Sequence, residues 1–304
     1  MGPAMAASPL HRPVLDWYGR HARDLPWRAP DRTPWGVLVS EVMLQQTPVA
    51  RVEPVWRRWM DRWPVPPALA AEEPGEAIRA WGRLGYPRRA LRLHAAATAI
   101  DERHDGEVPD SYDELRALPG IGDYTAAAVA TFGYGRRHAV LDTNVRRVLV
   151  RAVGGEPLPG ATLTRAEARE AESLVPDDAR TAARWAVAVM ELGALVCTAR
   201  SPRCGACPIA GLCAWRAAGS PPYEGPPRRG QAWAGTDRQC RGRLMAVLRD
   251  AEGPVAEDRL GRSWHVDPQQ RVRALESLVA DGLVETLDGG RSYRLPVTRS
   301  SAST

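Results

Sequence analysis

Apolar residues recur every three to four positions along most of this chain, and Pro, Gly and charged clusters cut the runs. The pattern predicts helices at Val14 to His21, Pro34 to Leu44, Val49 to Trp63, Glu76 to Leu84 and Arg88 to Glu102, with Gly85-Tyr86-Pro87 parting the last two. Further helices are expected at Asp110 to Ala117, Asp123 to Phe132, Asn144 to Val153, Thr164 to Leu174 and Arg180 to Leu195. Trp56, Trp59 and Trp63, three and four apart, read as one core-facing stripe. Strand-like alternation is scarce before residue 280, so the body of the chain reads as an all-α bundle.

The prolines and glycines between Gly219 and Gly235 carry no hydrophobic period, which marks 217–235 as a linker. Amphipathic helices at Gln239 to Asp250 and Gln269 to Asp281 follow. Leu283 to Leu287 and Ser292 to Leu295 then flank Asp288-Gly289-Gly290 as a hairpin. Helices closed by a hairpin suggest a small winged-helix-like module at 236–297. Residues 1–12 read as a disordered leader and 298–304 as a disordered tail.

Composition changes this picture in three ways. Net charge is +5 with a pI near 9.2, which favours a polyanionic partner. All 41 basic residues are arginine, and the sequence contains no lysine. Four of the five cysteines fall between Cys197 and Cys213, a cluster rather than a dispersed disulfide framework. With no secretory signal and no apolar run long enough to span a bilayer, the expected place is the reducing cytoplasm, without a membrane partner.

Candidate chemistry sits in three stretches. The first is Leu118-Pro119-Gly120-Ile121-Gly122-Asp123-Tyr124-Thr125. Gly120 and Gly122 permit a tight turn into a helix, whose open N–H groups and positive dipole end suit a phosphate. An ordinary helix–turn–helix joint gives the same pattern. Asp142, two residues before Asn144, would cap the next helix on general grounds. The second is Glu41, on one helical face with Gln45. Either it is a surface carboxylate, or its apolar neighbours desolvate it, raise its pKa and keep it protonated near neutrality as a general acid. The third is Cys197, Cys204, Cys207 and Cys213, spaced C-x6-C-x2-C-x5-C. Four close thiolates call for a metal, and four-cysteine zinc is one option. Cys240 lies outside the pattern.

The cysteine spacing resembles the 4Fe–4S loop of endonuclease III and the adenine glycosylases. Leu-Pro-Gly-x-Gly followed some twenty residues later by Asp142 resembles the helix–hairpin–helix DNA glycosylases. With Leu25-Pro26-Trp27-Arg28, Ser40 to Thr47 and Leu84-Gly85-Tyr86, residues 14–216 are similar to the MutY-type adenine DNA glycosylases. The resemblance implies a six-helix barrel at 36–135 and a cluster domain from 13–35 with 136–216. It implies a 4Fe–4S cluster held by the four cysteines, on a loop whose Arg200 and Arg203 could contact phosphates. The substrate it implies is double-stranded DNA bearing a mismatched adenine, bound by a monomer. Glu41 would be the general acid, and Asp142 would stabilise the sugar cation or bond to it, supported by Asn144 and Tyr124. Arg23, Trp27 and Arg28 would line the adenine pocket. Gln45, Gln46 and Tyr86 would contact the duplex, with Gly120 and Gly122 in the hairpin. Endonuclease III has a Schiff-base lysine where this chain has Tyr124, so a monofunctional glycosylase is expected.

The chain also departs from that family. Residues 228–304 are too short for its usual Nudix-like domain, and the sole Phe, Phe132, leaves no Phe-Ser-His element there. Pro48 and Pro87 replace a Gln and a Tyr. These changes bear on recognition of 8-oxoguanine more than on the chemistry at adenine. Two other readings stand beside this one. A thymine-removing mismatch glycosylase is disfavoured by Gln45-Gln46, where that branch more often has arginines. An iron–sulfur DNA-binding regulator would leave Glu41 and Asp142 without a purpose.

Overall fold

The computed structural model describes residues 8–225 and 233–298. Parts of the expected leader, linker and tail therefore lie outside the described residues. The helices run α1 His11–His21, α2 Pro34–Leu44, α3 Val49–Arg62, α4 Pro66–Ala70, α5 Pro74–Trp81, α6 Arg88–Arg103, α7 Tyr112–Ala117 and α8 Asp123–Tyr134. They continue as α9 Thr143–Ala152, α10 Arg165–Ser173, α11 Ala179–Leu195 and α12 Ala214–Ala217. The C-terminal part runs α13 Asp237–Asp250, β1 Val255–Ala256, α14 Glu257–Ser263, α15 Pro268–Ala280, β2 Glu285–Leu287 and β3 Ser292–Arg294. Among the described residues no helix is long and apolar enough to cross a membrane.

The chain divides into two compact units, and the division falls inside α2 and the α7–α8 turn. The first gathers Met1–Glu41, Asp110–Ala117 and Ile121–Pro226. Its core is the seam of α1, α9 and α11, where Val14, Trp17, Val148, Leu149, Trp185 and Leu192 are buried together. A smaller cluster packs Ala127 and Ala128 of α8 against Ala186 of α11 and Val140. α2 is buried almost all round from Trp35 to Met43, so it has no polar face to give to water. Thr33 Oγ1 accepts from the Gly36 N–H at 3.0 Å at its start, where Pro34 needs no donor.

The second unit gathers Val42–Pro109, Leu118–Gly120 and Pro227–Thr304. Trp59 of α3 and Trp63, the residue that caps its end, meet edge to face at 4.8 Å between ring centroids, and Trp81 of α5 meets Trp59 at 5.8 Å. Such pairs add about 1 kcal/mol each beyond their burial. α5 stops at Trp81, earlier than its pattern suggests, because Gly82 turns at φ +59°. In the C-terminal part the helices lie with an antiparallel sheet of order β1-β3-β2, the arrangement of a winged helix. It is fastened to α5: the Gly75 N–H donates to Pro296 O at 2.8 Å, and Arg79 donates to the carbonyls of Arg249 and Ala251.

Three differences from the sequence expectation have physical causes. α1 begins at His11, because Leu10 is already part of the core and anchors the turn. α4 is hidden in a Pro-Pro start, where Pro66 and Pro67 sit in its first turn, which needs no N–H donor from them. β1 and α14 are too short, and α14 buries only Leu260, so neither shows a period.

Candidate functional site

Glu41 follows the buried run Val37–Ser40 on α2 and is itself only 6% exposed. Tyr124, in the first turn of α8, donates its hydroxyl to Glu41 Oε2 at 2.7 Å. Burial pushes the Glu41 carboxyl up to about 7, against the Tyr124 hydrogen bond. The charge of Asp142 raises it further and that of Arg28 lowers it. The surface-carboxylate alternative is excluded, and the group can hold or give a proton at neutral pH. Tyr124 itself is pushed well above its ordinary range, chiefly by burial, and remains a hydroxyl donor.

Asp142 is the N-cap of α9. Its Oδ1 accepts from the backbone N–H of Asn144 at 2.9 Å and of Val145 at 2.7 Å, and Oδ2 accepts from Asn144 Nδ2 at 2.7 Å. The cap is real, and it also fixes the carboxylate in space. Burial raises this carboxyl's pKa against those three bonds. Asn144 is held in turn by Arg147, whose Nη2 donates to Asn144 Oδ1 at 2.8 Å. Gly193 of α11 lies so close that a Cβ there would stand 2.7 Å from Asn144 Cβ and O.

Arg23 and Arg28 gather around a residue that the sequence pattern did not single out. Glu191 on α11 is wholly buried. It accepts from Arg23 Nε at 2.7 Å, Arg23 Nη2 at 2.8 Å and Arg28 Nη1 at 2.9 Å. Burial opposes its charge, but the two arginines outweigh that and hold its carboxyl below the usual range. The signal was available: a lone Glu inside Val187-Ala188-Val189-Met190-Glu191-Leu192 must have a cation to meet. Trp27 is buried.

Gln45, Gln46, Tyr86 and Gly120 lie in the second unit, and Gly122 belongs to the first. Gln46 and Tyr86 both carry positive φ, 55° and 48°, a conformation that non-glycine residues rarely adopt. Arg89 stands 4.6 Å from the Tyr86 ring and donates to the carbonyl of Gln45, so it ties the segment after α2 to the loop before α6. Tyr86 is 45% exposed. Gly120 turns at φ +75°, and a Cβ there would meet Arg92 Cβ at 2.6 Å. Gly122 begins α8 with no side-chain cap.

In the first unit the four cysteines are brought together. Burial first, then a backbone bond from Ile209 acting the other way, then charge on the other three sulfurs set the Cys207 thiol at about 11. Four thiolates can share this place only with a cation among them. Arg151 Nη1 donates to Cys197 Sγ at 3.3 Å, as a sulfur carrying cluster charge would require. The donor set fits a 4Fe–4S cluster.

Comparison with known proteins defines the class. A model of the HhH-GPD superfamily base excision DNA repair proteins matches residues 39–172, and one of the iron–sulfur binding domain of endonuclease III matches 197–213. The structure of a thermostable thymine-DNA glycosylase superposes with a TM-score of 0.61 at 26% identity, covering 68% of this chain and 94% of that one. A non-covalent endonuclease III–DNA complex shares the fold, with a TM-score of 0.56 at 24% identity over 67% and 92% of the two chains. The fold is thus that of a helix–hairpin–helix DNA glycosylase, and the chain carries a 4Fe–4S cluster. The adenine DNA glycosylase of Mycobacterium tuberculosis strain H37Rv is 56% identical over 277 residues, 91% of this chain and 90% of that protein. The human adenine DNA glycosylase is 40% identical over 210 residues, 66% and 38% of the two chains. The chain belongs to the adenine DNA glycosylase family.

Proposed function

We propose that this chain is a monofunctional glycosylase that removes adenine mispaired with 8-oxoguanine or guanine from double-stranded DNA. In this reading it acts as a monomer in the cytoplasm, at the nucleoid, and leaves an abasic site. The observation that carries the reading is Glu41: a buried carboxyl with a pKa of about 7, anchored by Tyr124 within the field of Asp142. Departure of adenine needs a proton on a purine ring nitrogen, so that the base leaves neutral. Glu41 holds that proton, while Tyr124 occupies Oε2 and leaves Oε1 for the base.

As the glycosidic bond breaks, positive charge grows on the sugar. Asp142 supplies the opposing carboxylate, and Asn144 and the first turn of α9 fix its position. Arg23 and Arg28, locked to Glu191, form a rigid wall for the extrahelical base, with the buried Trp27 as a further lining residue. Gln45, Gln46 and Tyr86 contact the duplex from which the base has left, and the Gly120–Gly122 turn offers N–H groups to a phosphate. Cys197, Cys204, Cys207 and Cys213 hold the cluster, whose role is to order the loop carrying Arg200 and Arg203. Residues 13–35 with 136–216 form the cluster domain and 36–135 the barrel.

The test uses duplexes with A opposite 8-oxoguanine, A opposite guanine, A opposite cytosine and T opposite guanine, each treated with hot alkali after incubation. Alkali-dependent cleavage at adenine in the first two, lost in Glu41→Gln and Asp142→Asn, is the expected result. Release of thymine alone, or of no base despite tight DNA binding, overturns the reading.

A further inference from the structure

The second unit contains a groove of about 890 Å³ between the loop Gly82–Pro87 and one face of α13. Arg238, Gly242, Ala246 and Arg249 follow one another along that face at steps of four, four and three residues. Among the described residues the lining holds seven arginines and a single carboxylate, Asp281. Asp281 is already committed to Arg88 at 3.1 Å and Arg241 at 2.5 Å. Arg51, Arg83, Arg238, Arg243 and Arg249 are left with no acid among the described lining residues. So many like charges repel one another in the folded chain and are retained against that cost.

The rim is aromatic. Arg238 stands 5.4 Å from the ring of Tyr86 and 5.3 Å from that of Trp233, which is 52% exposed. Tyr86 also has Arg89 at 4.6 Å, so its ring is fixed by guanidiniums in a backbone conformation that costs about 1 kcal/mol or more. Gly242 leaves the floor open, with Trp233 3.8 Å from where its Cβ would be. The twelve residues from Arg238 to Arg249 rise about 16 Å, which spans about five phosphates of one strand at about 3.4 Å each. Excess charge, length and openness together match a polyanionic strand better than a small ligand.

We propose that this groove seats the sugar–phosphate backbone of the DNA substrate, with α13 rather than α15 as the DNA-contacting helix of the winged-helix module. The proposal rests on the chain being a DNA glycosylase. It makes the C-terminal module a source of affinity, not a reader of the base opposite adenine. α15, which occupies the usual recognition position in such a module, is poorly suited to phosphate. It offers one exposed arginine, Arg273, between Val272 and Glu276, its other arginine, Arg271, is paired with Glu257 at 3.4 Å, and the neighbouring Val266 is exposed too.

The experiment measures affinity against salt for the full, cluster-loaded chain on A:8-oxoguanine, A:G and fully paired duplexes. The proteins compared are Arg238→Ala/Arg243→Ala, Gly242→Glu on the floor, and Arg273→Ala on α15. Each phosphate that is no longer neutralised lowers the slope of log affinity on log salt by about 0.9. The double variant should therefore shrink the affinity drop between 50 and 200 mM salt about tenfold, equally on all three duplexes. Gly242→Glu should weaken binding likewise, and Arg273→Ala should leave the slope unchanged. Base release at saturating protein should stay at the wild-type rate in every variant. Wild-type slope in both groove variants overturns the proposal, as does a loss confined to the 8-oxoguanine duplex or a slope change in Arg273→Ala alone. If the wild type released no adenine, the functional reading would fall, while the salt slopes would still decide the groove.

Discussion

Two glutamates of the first unit show how burial can be turned to opposite ends. Burial lifts the folded pKa of Glu41 to about 7, because only one hydroxyl bond and the charge of Arg28 oppose it while a neighbouring acid adds to it. Glu191 has two arginines, so its folded pKa falls. As a general acid Glu41 must be protonated, and base release should drop about tenfold per pH unit above about pH 7. A single-turnover pH profile that stays flat to pH 9 would remove it from that role. Folded Glu41 keeps its proton up to about pH 7, whereas the unfolded value is near 4.5. The folded chain thus binds the extra proton between those values, and stability falls as pH rises through the window. Above pH 7 the full cost is about 3 kcal/mol. Glu41→Gln should therefore stabilise the protein by up to about 3 kcal/mol at pH 8 and by almost nothing at pH 4, read from urea midpoints. Glu191 contributes in the reverse sense, with stability present above the usual carboxylate range and lost on acidification. Glu191→Gln would strand two guanidiniums on a buried neutral amide and should cost about 3 kcal/mol, most of it already absent in acid. A midpoint within error of wild type at pH 7 would contradict that. Glu41 was legible in the sequence because its neighbours are apolar in a row. Glu191 showed only that it needs a cation; which ones it meets was not legible, because its partners lie 168 and 163 positions away.

At the scale of elements, local signals gave the helices and long-range packing gave their ends. The Asp288-Gly289-Gly290 turn announced the hairpin, and the pair β2–β3 forms with Thr286 opposite Tyr293. β1 could not be seen, since two residues acquire strand geometry only by pairing with β3. The approach of α11 to α9 was equally hidden. Gly193 looks like a weak point in a helix, where glycine normally costs about 1 kcal/mol relative to alanine. Here the sign reverses, because an alanine methyl would stand 2.7 Å from backbone and Cβ of Asn144. Gly193→Ala should destabilise by about 1–3 kcal/mol, as overpacking does. It should also slow base release by displacing Asn144 from Asp142. An increase in the urea midpoint, the usual response of a helical glycine, would show that the approach is looser than the structure describes.

For the molecule as a whole, the absence of lysine among 41 basic residues matters more than the net charge of +5. Composition bias can supply arginine wherever only positive charge is needed, as in the groove along α13. It cannot supply an amine, because a guanidinium stays protonated at every accessible pH and does not attack a sugar carbonyl. In the hairpin, Tyr124 spends its hydroxyl on Glu41, and no lysine elsewhere in the sequence can take the nucleophile's place. The chemistry should therefore end at the abasic site. Between pH 6 and 9, strand cleavage without alkali should stay at the level of spontaneous decay of abasic DNA. Borohydride added during turnover should trap no protein–DNA adduct, while alkali applied afterwards cuts every processed strand. An adduct that forms with wild type and disappears in Asp142→Asn would mean that a covalent amine route exists. The division of labour drawn here, with Glu41 as acid and Asp142 as counter-charge, would then have to give way.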